Sequence, residues 1–230
     1  MNNLLIESTF FGVMLSLAAY EIGLQMKKRF RIALFNPLLV AIVITIVVLI
    51  VCNVEYDIYY EGAKYISYLL TPATVSLAIP LYEQVTLLKG NWKAIVAGIC
   101  SGVLTSGVSV LICCKIAGFS HEEYVTLLPK SITTAIGMDL SKELGGYATI
   151  TVAVIIITGV FGNMIAETVC KVFRIEEPVA RGIAIGTSSH AMGTTKAMEM
   201  GDIEGAMSSL SIAVAGLLTV VVASVFANFM

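Results

Sequence analysis

The chain has 230 residues, of which 57% are apolar or aromatic and 13% charged, with a formal net charge of -2; its mean hydropathy is +0.90. Soluble domains carry about 25% charged residues. A water-facing surface is therefore excluded, and with it a soluble enzyme, a disordered chain and a nucleic-acid binder, because so small a net charge offers no field for a polyanion.

What remains is an all-α integral membrane protein. An apolar helix of about 20 residues crosses the hydrocarbon core of a bilayer. In chain order, the apolar runs predict spans over 4–26, 33–53, 66–88, 94–117, 147–170 and 205–229. No cleavable leader is expected, since the cluster Lys27, Lys28, Arg29 and Arg31 follows the first run instead of preceding it. Cys52, Cys100, Cys113, Cys114 and Cys170 lie mostly in apolar runs and show no metal-ligand spacing. No metal and no cofactor is expected.

Two stretches differ from the spans around them. Residues 125–144 read VTLLPKSITTAIGMDLSKEL and 182–200 read GIAIGTSSHAMGTTKAMEM. Both are rich in Gly, Ser and Thr, and both carry Lys. Positive charge marks the cytoplasmic side. The first basic cluster, Lys89 with Lys93, and Lys171 with Arg174 and Arg181 place three connections inside. Acidic connections at 54–65 and 118–124 suit the outside, which puts the N-terminus outside. The fourth span then ends outside, and 147–170 must start there. Residues 125–144 are therefore expected to form one re-entrant hairpin, and 182–200 a seventh span crossing from inside to outside, with broken helices at the polar stretches 128–137 and 186–199, where Gly186 and Gly193 let the backbone leave helical geometry. Weak likeness between 33–53 and 147–170, and between 71–117 and 186–229, suggests an inverted repeat with halves of about 1–118 and 119–230, as in many secondary transporters.

Within the third span, Pro72 and Pro80 break the backbone ladder. A simple proline kink explains them as well as a broken helix does. Pro80, Glu83 and Gln84 are candidate gate or coupling residues, although Glu83 lies close to Lys89 and the interface. In the hairpin, Pro129 stands where a half-helix would begin, beside Lys130, Ser131, Thr133 and Thr134. Free amides at a helix start attract anions, and Lys130 adds a full charge. A surface loop with a snorkelling Lys is the plain alternative.

The densest polar stretch is 186–199, GTSSHAMGTTKAME, where eight residues are Gly, Ser, Thr or His. Ser188, Ser189, Gly193, Thr194 and Lys196 are candidate substrate-binding residues, and His190 is a candidate for binding and proton coupling. Tight helix packing explains the small residues, but not a His and a Lys at that depth. Adjacent Ser188, Ser189 and His190 cannot face one another on a helix, so no hydrolytic dyad is formed and no enzyme is expected.

NPLLVA at 36–41, PLYEQ at 80–84, LPKSITTAIG at 128–137 and GTSSHAMGTTKAME at 186–199 occur together and in that order. In them the chain resembles the LrgB/CidB family along essentially its whole length. It departs at Ala135, where the family usually has Pro. The resemblance implies two accounts of function. One is an antiholin-like effector that modulates murein hydrolase activity and lysis with a holin-like LrgA/CidA partner. The other is a carrier of small monocarboxylates, since a plastid relative resembles a glycolate/glycerate transporter and bacterial pairs look like pyruvate transporters. The polar segments favour anion handling, with a proton or Na+ as coupling ion. A single LrgB-like membrane domain over 1–230, forming a homodimer in the bacterial cytoplasmic membrane, is expected.

Overall fold

Every regular element among the described residues is helical, because within lipid a helix satisfies its own backbone groups. The computed structural model describes residues 10–30, 35–76 and 78–230, and the chain divides after Ser76 into two compact units. The predicted first span starts at residue 4, so its first residues lie outside the described ones, as does Arg31.

The N-terminal unit contains α1 (Phe11–Phe30), α2 (Pro37–Val51), α3 (Tyr56–Ser67) and α4 (Leu70–Ser76). Asn36 starts α2: its Oδ1 accepts from the amides of Leu38 at 2.9 Å and Leu39 at 3.3 Å, and Pro37 occupies the first turn. Gly23 lets α1 approach the Pro37 backbone, where a Cβ would meet the carbonyl oxygen at 2.6 Å. The acidic stretch 54–65, expected as a connection, is largely the helix α3, held to α1 by the 2.7 Å contact of Ser16 Oγ with Tyr59 Oη.

The second unit contains α5 (Ala78–Glu83), α6 (Val85–Ala117), α7 (His121–Leu127), α8 (Thr134–Glu143), α9 (Ala148–Val172), α10 (Pro178–Met200) and α11 (Asp202–Phe226). The predicted turn at 89–93 is absent. Those residues lie inside the 33-residue α6, and the chain breaks at Gln84 instead. Exposed Lys89 and Lys93 do not interrupt the backbone ladder, and Asn91 turns its amide back to Leu87 O at 3.0 Å. A helix of this length is about 50 Å long, more than the core of a bilayer requires, so its polar start can project. Among the described residues, three helices are long and apolar enough to cross a membrane: Val85–Ala117, Ala148–Val172 and Asp202–Phe229.

Between α6 and α9 the chain doubles back. A capping box of Ser120 and Glu123 starts α7. Residues 128–133 make the turn, and α8 returns. At the open end the Thr151 hydroxyl of α9 bonds both Thr126 O (2.9 Å) and Ser141 Oγ (2.7 Å), while Tyr147 N donates to Thr126 Oγ1 (2.8 Å). Residues 126 and 141 are thus neighbours. Tyr124, Val125, Leu128, Ile132 and Leu140 pack with Val110 and Cys114 of α6 and Ala223 of α11.

The helix expected to be broken within the span 182–200 is broken, but it turns back there and does not continue as a seventh span. At His190 the backbone leaves helical geometry, with φ 42° and ψ -144°. A Cβ at Gly193 would lie 3.3 Å from Ile185 O; in a straight helix eight residues rise about 12 Å. Ile185 and Ala197 pack together against Ala166 of α9. Gly182 and Met198 both lie against residues 204–205 of α11, and Gly186 and Thr194 both meet Ser208. Residues 178–200 are therefore a second helical hairpin, with its tip at His190. The order of hairpin followed by long helix occurs twice, over 121–172 and 178–226, and the two long helices run antiparallel.

Candidate functional site

Both hairpin tips lie within the second unit, and small residues on the long helices make room for them. A Cβ at Gly159 would lie 2.5 Å from His190 Cε1, and one at Gly162 would lie 2.6 Å from Ser189 Cβ. Gly193 does the same within the hairpin, where a Cβ would press on Ser189 Cβ at 2.6 Å. The His190 conformation is one that a side chain rarely adopts, and such strain costs about 1–3 kcal/mol. Packing on both sides holds it: the ring is buried, and its Nε2 lies 3.0 Å from Ile155 O. A carbonyl only accepts, so Nε2 carries the proton and Nδ1 is the basic nitrogen.

The second arm is pinned by polar contacts. The Thr194 hydroxyl donates to His190 O at 3.0 Å and meets Ser208 Oγ at 2.7 Å. Asn163 of α9 donates to Met192 O at 2.7 Å and to Thr195 Oγ1 at 2.8 Å. Ser189 is buried with its Oγ 3.1 Å from that of Ser188, and Ser188 itself is exposed and bonded to Ala184 O at 2.7 Å. Lys196 does not reach the tip. Its Nζ lies 3.1 Å from Glu167 and 3.3 Å from Glu199, and Glu167 also binds Lys171 at 2.8 Å. Two ammonium groups and two carboxylates are thus linked near the open end of the hairpin. Arg181 and Glu204, 3.7 Å apart, tie that end to α11.

At the first tip Pro129 is fully buried in the turn, and the helix starts later than expected, with Thr133 as its cap residue and Thr134 as its first residue. Thr133 and Thr134 are half-buried, and no side chain caps these first amides. Half-buried Lys130 donates to Ser131 Oγ at 3.0 Å, and Ser131 Oγ lies 3.3 Å from Ser106 Oγ of α6. Among the described residues Lys130 forms no ion pair. Ser131 and Ser106, together with Thr187 of α10 and Thr219 of α11, line a cavity of about 10 Å³, room for about one water molecule. At the open end of this hairpin, the Tyr147 hydroxyl donates to Glu122 at 2.5 Å. That hydrogen bond holds the phenol above its usual ionisation range.

The structure thus places Ser131 on the cavity, with Lys130 hydrogen-bonded to it, and gathers Ser189, His190, Gly193 and Thr194 at the other tip. Of the proposed gate residues, Glu83 is exposed and Gln84 half-buried, and among the described residues neither side chain forms a hydrogen bond or ion pair. The Pro80 side chain lies outside the described residues. Sequence reasoning passed over Ser106, Asn163, Glu167 and Thr219. Asn163 and Glu167 carried a readable signal, as an amide and a carboxylate in an apolar run. Ser106 and Thr219 carried none, since isolated hydroxyls are ordinary in membrane helices.

The sequence profile of the LrgB-like family matches residues 16–229. The antiholin-like protein LrgB of Bacillus mycoides (strain KBAB4) is 40% identical over 221 residues, covering 96% of this chain and 96% of that protein. Proteins of the same name from Bacillus cereus (strain B4264) and Bacillus anthracis (strain CDC 684 / NRRL 3495) match at the same 40% identity and 96% coverage. No solved structure matches.

Proposed function

This chain belongs to the LrgB-like family, and we propose that it acts as an antiholin-like membrane protein, restraining lysis alongside a holin-like partner of the LrgA/CidA kind. The observation that carries this reading is the 40% identity, over 96% of the chain, to relatives named antiholin-like. Such a role needs no chemistry at the hairpin tips, only helices that compete for a partner within the bilayer. Co-expression with a holin-like partner in a bacterium tests it. The expected result is delayed lysis and lowered murein hydrolase activity when the membrane is depolarised. Lysis at an unchanged time would overturn it.

A second reading is favoured by the two polar tips: a carrier of a small monocarboxylate such as pyruvate, glycolate or another hydroxy acid, with a proton or Na+ as coupling ion. Lys130 supplies the charge, Ser131, Thr133 and Thr134 supply donors, and Ser189, His190 and Thr194 belong to the facing tip. Lys196, neutralised by Glu167 and Glu199, then steadies the second hairpin and does not hold substrate. Uptake of labelled pyruvate, glycolate or lactate into proteoliposomes, with and without the partner, separates the readings; uptake in neither preparation removes the second.

Either role implies the same placement in the cytoplasmic membrane. The helices α6, α9 and α11 cross, with Lys171, Arg174 and Arg181 on the cytoplasmic side. Hairpin 121–144 re-enters from outside and 178–200 from inside, in place of a seventh span. Irregular backbone at that depth is tolerated because protein buries it. The N-terminus lies outside, and the assembly is a homodimer.

A further inference from the structure

We propose that the cavity between the 128–133 turn and α11 is a binding site for a small monovalent oxyanion, in which Ser106 and Thr219 are specificity residues and Lys130 provides the charge. This rests on the carrier reading above and deepens it. Four elements that are far apart in sequence each place a hydroxyl on one void of about 10 Å³. Some hydroxyls in the long helices give their proton to the carbonyl one turn back. In α11, Ser209, Ser211 and Ser224 do so at 2.8, 2.7 and 2.9 Å. Thr219, on the same helix, does not. Among the described residues its hydroxyl makes no hydrogen bond, although it lines the cavity. Ser106 likewise turns away from its own helix, to Ser131 at 3.3 Å.

An unbalanced positive charge stands one hydrogen bond away from this void. The Lys130 ammonium has three N–H groups, and one is given to Ser131. Thr187 has committed its proton to Ile183 O at 2.7 Å, which leaves it as an acceptor. No charged residue lines the cavity itself; among the described residues the nearby Lys130 has no ion pair, whereas the charge of Lys196 is already balanced. A charge without a counter-ion, one hydrogen bond from a void on which Thr219 leaves its proton uncommitted, is completed by a ligand that carries one negative charge and accepts hydrogen bonds. A cation is excluded by the ammonium 3.0 Å from Ser131. In this conformation the void takes one water-sized group, the size of one carboxylate oxygen. Seating the rest of the ligand requires the 128–133 turn to give way.

Equilibrium binding of labelled glycolate to the full chain in nanodiscs tests the site. Thr219→Val and Ser106→Ala should each weaken binding about tenfold, the worth of one hydrogen bond to a charged group. Thr219→Ser should restore it, which a purely structural role for the side chain would not give. Lys130→Met should remove binding, and Lys196→Met should leave it unchanged. Thermal unfolding of each variant confirms that it is folded. If the parent binds glycolate and Thr219→Val binds equally well, the site is wrong and the carrier reading stands. If the parent binds neither glycolate nor pyruvate, both fall.

Discussion

Replacing Gly162 by Ala places a methyl group where the first arm of the second hairpin now lies. The new Cβ would sit 2.6 Å from Ser189 Cβ and closer still to Ser189 Oγ. A rotamer change cannot relieve this, because the Ser189 Cβ itself is in the way, so the arm must retreat by about 1 Å toward ordinary carbon–carbon separations. Forcing an extra methyl into a packed site costs about 1–3 kcal/mol, whereas Gly→Ala inside a helix gains about 1 kcal/mol. The net effect is therefore small, and a control is needed. Gly90 is also inside a helix, with nothing within 4 Å of a Cβ, so Gly90→Ala keeps the gain alone. The expected difference between the two variants is about 1–3 kcal/mol, the overpacking cost alone. Unfolding by SDS in mixed micelles, followed by the fluorescence of Trp92, the single tryptophan, measures it. Adding Ser189→Gly to Gly162→Ala should recover most of the loss, a coupling within the range seen for touching residues. Equal stability of Gly162→Ala and Gly90→Ala would refute the close packing of this hairpin on α9.

Spin labels at Ala180 and Glu199 should report a separation well below the roughly 28 Å that a straight helix of that length would impose; a distance near 28 Å would restore a single span. Asn163→Leu should release Met192 O and speed amide hydrogen exchange around the 190–195 tip by about tenfold or more, since a buried group left unpaired costs about 1–3 kcal/mol; unchanged exchange would mean that the amide does not hold the tip. With α11 running from inside to outside, a cysteine at Asn228 in a cysteine-free background should label from outside with an impermeant reagent, as should cysteines at Ser120 and Tyr147, while one at Glu176 should label from inside. Labelling of Asn228 and Glu176 from the same side would contradict the second hairpin.

Composition alone determines that this chain belongs in a membrane, because 13% charged residues cannot cover a soluble surface. Local chemistry also marks where the regular helices fail. Pro129 and the hydroxyls after it mark the first turn, and Gly186, Gly193 and the Ser/Thr run between and beyond them mark the second. The end of α6 at Gly118 and the start of α2 at Asn36 and Pro37 are likewise written into a few neighbouring residues. The tertiary structure alone decides how far the chain bends at those marks. Residues 178–200 have the length of a span, and nothing within them separates a kink from a full reversal. The reversal depends on Gly159 and Gly162 of α9, which leave space for His190 and Ser189, and on Ser208 of α11, which meets Thr194. The fate of Lys196 was hidden for the same reason, since Glu167 lies on another helix and reaches it only after the hairpin has folded. Backbone punctuation is local and therefore readable. A strained tip and a neutralised charge are held by groups distant in sequence, and packing alone brings those together.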